Sequence, residues 1–212
     1  MADVSTVFVI DDEASVRRAV ARLLTSAGHH VETFGSAEEF LRHPHYDAPG
    51  CLVLDVKMPG QSGLDLQEVL AKEGSYLPII FVSGRSNVPI SVKAMKGGAV
   101  DFLTKPFQHK DLLKAVDLSL AKDREARASR AEVQDVQERL QTLTVREHDV
   151  LCLVVAGRLN KQIAYELEIS EKTVKVHRAR VMEKMRAESV ADLVRLAEKV
   201  GISPAASSPP EP

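Results

Sequence analysis

Residues 51–63 read CLVLDVKMPGQSG. The aliphatic run 51–54 has the composition of a strand, it ends on the carboxylate of Asp55, and a helical segment follows over 63–72. The same unit recurs along the first 120 residues. VFVI (7–10) ends in Asp11 and Asp12, and an amphipathic segment over 15–27 then places Val16, Val20, Leu23 and Leu24 on one face before Gly28. Further strands are predicted over 31–34, 78–82 and, more briefly, 101–103. Helices are predicted over 37–41, 88–96 and from His109 onward. Strands that are continuously Val, Ile and Leu suit a parallel sheet covered on both faces. Strand–helix alternation with right-handed crossovers makes this part a doubly wound α/β domain.

At 212 residues the chain is long enough for two domains of ordinary size. Hydrophobic residues at 44% can build real cores, and 27% charged residues argue against a mostly disordered chain. The net charge of −2 hides an asymmetry: residues 146–199 hold 11 Lys and Arg against 9 Asp and Glu, so this part is +2 and the remainder −4. A mildly basic carboxyl-terminal part points to nucleic acid there. Cys51 and Cys152 each lie among aliphatic residues and read as small buried hydrophobes, with no disulfide or zinc spacing. No signal peptide and no membrane-length apolar run is seen, so a soluble, cytoplasmic chain without membrane contact is expected.

The first expected domain is 1–121. Over 122–141 glycine and proline vanish, charge rises, and Val133, Val136, Leu140 and Leu143 recur at heptad spacing. This reads as a helical linker, either with a short coiled-coil-like seam or simply solvated. A second, all-α domain is expected over 142–202, and the tail SPAASSPPEP (203–212) is expected to be disordered.

Chemistry in an open parallel sheet sits at the carboxyl ends of its strands. The residues there are Asp11 and Asp12, Asp55, Ser83 and, after the last strand, Lys105. Three carboxylates drawn together repel one another and need a cation. Oxygen-only ligands left partly hydrated favour Mg²⁺. One carboxylate can then take a phosphoryl group as an acyl phosphate, while Lys105 and Ser83 hold phosphoryl oxygens.

In the second domain, Thr144-Val-Arg-Glu147 has the pattern of a capping box opening a helix that stops near Gly157. Asn160 is placed to cap a short helix over 161–167, and Ser170 a longer one over 171–185. Two helices joined by a short turn, the second basic, form a helix-turn-helix pattern. Residues 172–186 hold six Lys and Arg and one acid. At about 100° per residue, Val174, Val181 and Met185 face inward with Met182 at the edge. Lys172, Lys175 and Val176 are then assigned to base edges, Arg180 and Thr173 to the backbone, and Ala179 to close approach. For His177 a structural hydrogen bond is the preferred reading.

Taken together, Asp11-Asp12, Asp55 within LDVKMPGQSG, Ser83 and Lys105-Pro106 resemble the receiver domain of bacterial response regulators. LTVREHDVL, NKQIAYELEIS and EKTVKVHRARVMEKM resemble the LuxR-type DNA-binding domain of the NarL/FixJ subfamily. The resemblance implies the flavodoxin-like strand order 2-1-3-4-5. It makes Asp55 the phosphoacceptor, with Mg²⁺ held by Asp12, Asp55 and the carbonyl of Lys57, and Asp11 assisting through water. Ser83 and Lys105 would grip the phosphoryl group, Phe102 would be the aromatic switch, and Lys105–Pro106 a cis peptide. It further implies a fourth helix over 189–200 used in dimerisation. The implied partners are a sensor histidine kinase, double-stranded promoter DNA, RNA polymerase and, on phosphorylation, a second copy of the chain. The chain would then be a transcriptional regulator and not an enzyme. Lys57 and Arg85 are basic residues at loop positions flanking the acceptor. Two rival readings are a phosphorylation-independent regulator and an aspartate-nucleophile phosphatase. The second resembles this chain less, because such enzymes carry a spaced Asp-x-Asp on the first strand.

Overall fold

The structure is a computed structural model that describes residues 5–43, 48–84 and 88–203. Arg85 and the tail from 204 on lie outside the described residues. The chain divides into two compact units, Met1–Arg127 and Ala128–Pro212.

The first unit alternates β1 (Thr6–Ile10), α1 (Ala14–Ser26), β2 (His30–Phe34), α2 (Ala37–Leu41), β3 (Gly50–Asp55), α3 (Gly63–Lys72), β4 (Ile79–Ser83), α4 (Val88–Lys96), β5 (Asp101–Thr104) and the start of α5 (His109–Gln141). All pairings are parallel, in the order β2-β1-β3-β4-β5, as expected. Every residue of β1, β3 and β4 is buried, which is why these strands read as unbroken apolar runs. Successive side chains leave opposite faces of the sheet. Phe8, Ile10, Leu52, Leu54 and Phe81 meet Phe40, Leu66 and Leu70 on one side. Val7, Val9, Val53, Ile80 and Val82 meet Val20, Leu24, Leu112 and Val116 on the other.

Helix α5 is fastened to the amino edge of this sheet. The buried carboxylate of Asp123 accepts from Gly50 N–H at 2.9 Å and from Arg127 Nε at 2.9 and 3.0 Å, and Arg127 Nη2 donates to Ala48 O at 3.1 Å.

The second unit packs the end of α5 with α6 (Val145–Val155), α7 (Asn160–Glu166), α8 (Glu171–Met185) and α9 (Val190–Lys199). Val174, Val181 and Met185 are buried and Met182 lies at the edge of the core, as the angular reading gives. Two expectations need correction. Val136 is buried in this unit's own core, with Leu140 and Leu143 packed against it. The heptad spacing thus marks an intramolecular stripe, not a seam or a solvated linker; two heptads cannot distinguish these by pattern alone. Asn160 does not cap α7. Leu159 takes the cap position, its N–H donating to Gln162 Oε1 at 2.8 Å, and Asn160 Oδ1 instead accepts from Arg178 of α8 at 2.6 Å.

The expected capping box at Thr144 forms: Glu147 N–H donates to the threonine hydroxyl and Thr144 N–H to the glutamate. The Glu147 carboxylate is buried and lies 2.6 Å from Lys184 Nζ. The hydrogen bond from Lys184, then that from the Thr144 backbone, hold its pKa down at about 2. A depressed carboxylate stabilises the fold above its unfolded pKa and stops doing so as pH falls through the folded value. Hydrogen exchange of α6 and α8 amides should therefore show a contribution of about 2–3 kcal/mol that is full above about pH 5 and fades toward pH 2. Glu147→Gln should be less stable at neutral pH and lack this dependence.

Candidate functional site

Four strand ends bring the expected polar residues into one place. Asp11 follows β1, Asp55 ends β3, Ser83 ends β4, and Lys105 follows β5. With Asp12, Glu13, Lys57 and Gly84 they line a cavity of about 350 Å³. Asp11, Asp55 and Ser83 are buried, while Asp12 and Lys57 are exposed.

The ammonium of Lys105 donates to Asp11 Oδ2 at 2.6 Å and to Asp55 Oδ1 at 2.7 Å. The second oxygen of each carboxylate is held by backbone: Asp11 Oδ1 accepts from Glu13 N–H at 2.9 Å and Asp55 Oδ2 from Lys57 N–H at 2.6 Å. Arg17 Nη1 donates to the Asp11 carbonyl. Lys105 is itself anchored, its N–H donating to Ser83 O at 2.8 Å. The Lys105–Pro106 bond is cis, as the resemblance implies. Phe102 is half-buried on β5, its ring 6.3 Å from that of Phe81 and tilted by 34°.

Burial raises the pKa of Asp55; the hydrogen bond and charge of Lys105 and the Lys57 N–H oppose this, and Asp11 adds to it. For Lys105, burial alone would lower the pKa, but the bonds to Asp11 and Asp55 outweigh it and raise the value overall. Lys105 therefore stays charged. Two buried carboxylates share one ammonium and a third carboxylate stands at the rim, so the cavity remains negative and suited to a cation. Among the described residues no three His, Cys, Asp or Glu side chains converge closely enough to hold a metal by themselves. A cation here would take carboxylate oxygen together with backbone carbonyl and water, the partly hydrated oxygen shell that suits Mg²⁺.

Gly63 and Arg17 were given no role by the sequence. A Cβ on Gly63 would lie 2.2 Å from the Asp55 carbonyl, so glycine is what lets α3 begin against the end of β3. The glycine stands in the quoted motif, but only the close approach reveals its use. Arg17 sits six residues beyond Asp11, on the first turns of the following helix, a spacing that carries no signal of its own.

On α8, Lys172, Lys175, Val176, Ala179 and Arg180 are exposed. Thr173 is half-buried and its hydroxyl bonds that of Ser170 at 2.8 Å, while Ser170 caps the helix. His177 is half-buried, but among the described residues its Nδ1 finds no hydrogen-bond partner, so the structural bond expected of it is not made there through that nitrogen. Arg178 is turned away from the exposed face by its bond to Asn160.

Residues 7–117 match the family model described as response regulator receiver domain, and residues 141–197 that of bacterial regulatory proteins, luxR family. The chain is 48% identical to Nodulation protein W of Bradyrhizobium diazoefficiens over 93% of this chain and 87% of that one. It is 44% identical to the transcriptional regulatory protein FixJ of Rhizobium meliloti, over 94% and 98%. Among solved structures it resembles the response regulator StyR with a TM-score of 0.85 and 47% identity, covering 92% of this chain and 98% of that one.

The overlap of a Cβ at Gly63 is with a backbone oxygen, which a rotamer change cannot relieve. Gly63→Ala should cost about 2–4 kcal/mol of first-unit stability in chemical denaturation, whereas Gly74→Ala, with open space around its Cβ, should cost less despite its positive φ.

Proposed function

Because this chain belongs to the response regulators, with a receiver domain followed by a LuxR-type helix-turn-helix DNA-binding domain, we propose that phosphorylation of Asp55 controls its regulation of transcription. The observation that carries this reading is the Lys105 ammonium lying within hydrogen-bond distance of both Asp11 and Asp55 at the floor of an open cavity.

The phosphoryl donor is the phosphohistidine of a sensor histidine kinase. The P–N bond breaks as an Asp55 carboxylate oxygen forms the new O–P bond. Lys105 and the Ser83 hydroxyl hold phosphoryl oxygens, and Asp11 helps keep Lys105 in place. Asp12, Asp55 and the Lys57 carbonyl would hold Mg²⁺, with Asp11 assisting through water. When bound, that ion neutralises negative charge around the transferring group.

Ser83 and Phe102 relay the new charge to the surface formed by α4 and β5, Ser83 by turning to the phosphoryl group and Phe102 by moving inward. This surface exposes Val88, Val92 and Met95, apolar side chains suited to a second copy of the chain. The homodimer presents two DNA-binding domains to paired half-sites in promoter DNA. Lys172, Lys175 and Val176 meet base edges, Ala179 permits close approach, and Arg180 and Thr173 meet the backbone. RNA polymerase is the downstream partner, and activation is the expected outcome. No helix among the described residues is long and apolar enough to cross a membrane; a cytoplasmic location is part of the proposal.

The test is intact-mass spectrometry with sedimentation velocity after incubation with acetyl phosphate and Mg²⁺. A single added phosphoryl group and a shift toward dimer are expected, both absent in Asp55→Asn and after chelation of the metal. Phosphorylation of Asp55→Asn to the wild-type extent would remove Asp55 from this role.

A further inference from the structure

Helix α8 ends in a left-handed residue, Arg186, at φ 53°. Arg186 N–H donates to Glu183 O at 3.1 Å and Ala187 N–H to Met182 O at 3.0 Å. This is a Schellman closure with arginine where glycine is the usual occupant. It satisfies two carbonyls of the last turn and leaves those that follow, at the negative end of the helix dipole, without intrahelical partners.

One of these is taken by a side chain from another helix. Arg139 Nη1, on α5, donates to Met185 O at 3.0 Å. The same guanidinium bonds both carboxylate oxygens of Asp135, one turn earlier on α5. Val136 beside it is buried in the core of the unit. Lys184, the residue before Met185, reaches Thr142 O at 2.9 Å and Glu147 at 2.6 Å. Glu132 pairs with Lys199 of α9.

We propose that Arg139 is a positioning residue for DNA binding. It holds the carboxyl end of α8 so that the opposite end, bearing Lys172, Lys175 and Val176, enters the groove in one register. The inference rests on the reading of α8 as the helix that meets DNA. Its physical ground is the atom that Arg139 binds. Met185 O belongs to the backbone, so this bond restrains the helix axis and not merely one rotamer. The planar guanidinium is itself oriented by its two-point contact with Asp135. Leverage does the rest. A helix of 15 residues is about 22 Å long, so a tilt of about 10° at the anchored end carries the other by about 4 Å. Hydrogen bonds to base edges do not survive displacements of that size. Arg139, Asp135 and Met185 all belong to the second unit, so the register of α8 is set within that unit.

The full-length chain and its Arg139→Gln, Arg139→Lys and Asp135→Asn variants are compared on two duplexes, one selected by the wild-type chain from random sequence and one scrambled. Titrations are run well below every melting temperature and with the same phosphodonor treatment. Arg139→Gln should lose about tenfold in affinity for the selected duplex, the worth of one charge-assisted hydrogen bond. It should lose nothing on the scrambled one, where phosphate contacts dominate. Asp135→Asn should lose less, and Arg139→Lys should recover part of the loss, because an ammonium can still donate to Met185 O. A lowered melting temperature with both affinities unchanged would make Arg139 structural only and overturn the proposal. Equal losses on both duplexes would make it a phosphate contact and overturn it as well. A wild-type chain that binds neither duplex removes the reading of α8 and the inference with it, an outcome distinct from variants that discriminate as well as the wild type.

Discussion

The ammonium of Lys105, shared between Asp11 and Asp55, is the contact on which the receiver site depends. Two buried carboxylates at neighbouring strand ends would repel each other in a medium that solvates neither of them well. Lys105 makes their proximity tolerable without making them inert. Burial still pushes the Asp55 carboxyl upward, against the hydrogen bond and charge of Lys105. In the proposed function, the cation that steadies the pair would also meet the charge of an arriving phosphoryl group. The fold supplies the rest by topology. The order β2-β1-β3-β4-β5 sets the ends of β1 and β3 side by side and brings Ser83 and Lys105 to the same edge. Gly63 lets α3 close beneath without displacing the Asp55 backbone.

A different principle governs the second unit. Helix α8 is held by its buried apolar stripe and by polar contacts at three heights. Ser170 caps its first turn, Arg178 binds Asn160 of α7 midway, and Lys184 with Met185 is gripped from the α5–α6 junction. Packing alone leaves a helix some freedom to slide and roll. Directional bonds to α7, α6 and α5 remove it, and they leave Lys172, Lys175, Val176, Ala179 and Arg180 outward. The exposed face is therefore carried by a helix whose axis is determined elsewhere.

The pocket was legible because a parallel sheet obeys one rule: the residue that ends each strand lies at the shared carboxyl edge. Asp11, Asp55, Ser83 and Lys105 could be placed from strand composition alone. The cis Lys105–Pro106 bond came only through resemblance, since nothing in spacing requires it. The inward stripe of α8 followed from helical periodicity. Long-range polar pairs were not legible. Asp123 to Gly50, Arg127 to Ala48, Arg139 to Met185 and Asn160 to Arg178 join residues whose spacing follows no period. Asn160 looked like a cap because asparagine commonly is one; the bond to Arg178 claimed its side chain instead. The heptad positions misled for a related reason, because a stripe that packs within a bundle and one that packs against a partner chain have the same period.

The central claim is that the state of Asp55 decides how tightly the carboxyl-terminal domain holds DNA. Its most direct test is the affinity of the full-length chain for a selected duplex, with and without acetyl phosphate and Mg²⁺, alongside Asp55→Asn. A tightening of about ten- to a hundredfold, equivalent to about 1.4–2.8 kcal/mol, that disappears in Asp55→Asn is the predicted result. Equal, tight binding in every condition would contradict it and make the chain a DNA-binding regulator that does not depend on phosphorylation.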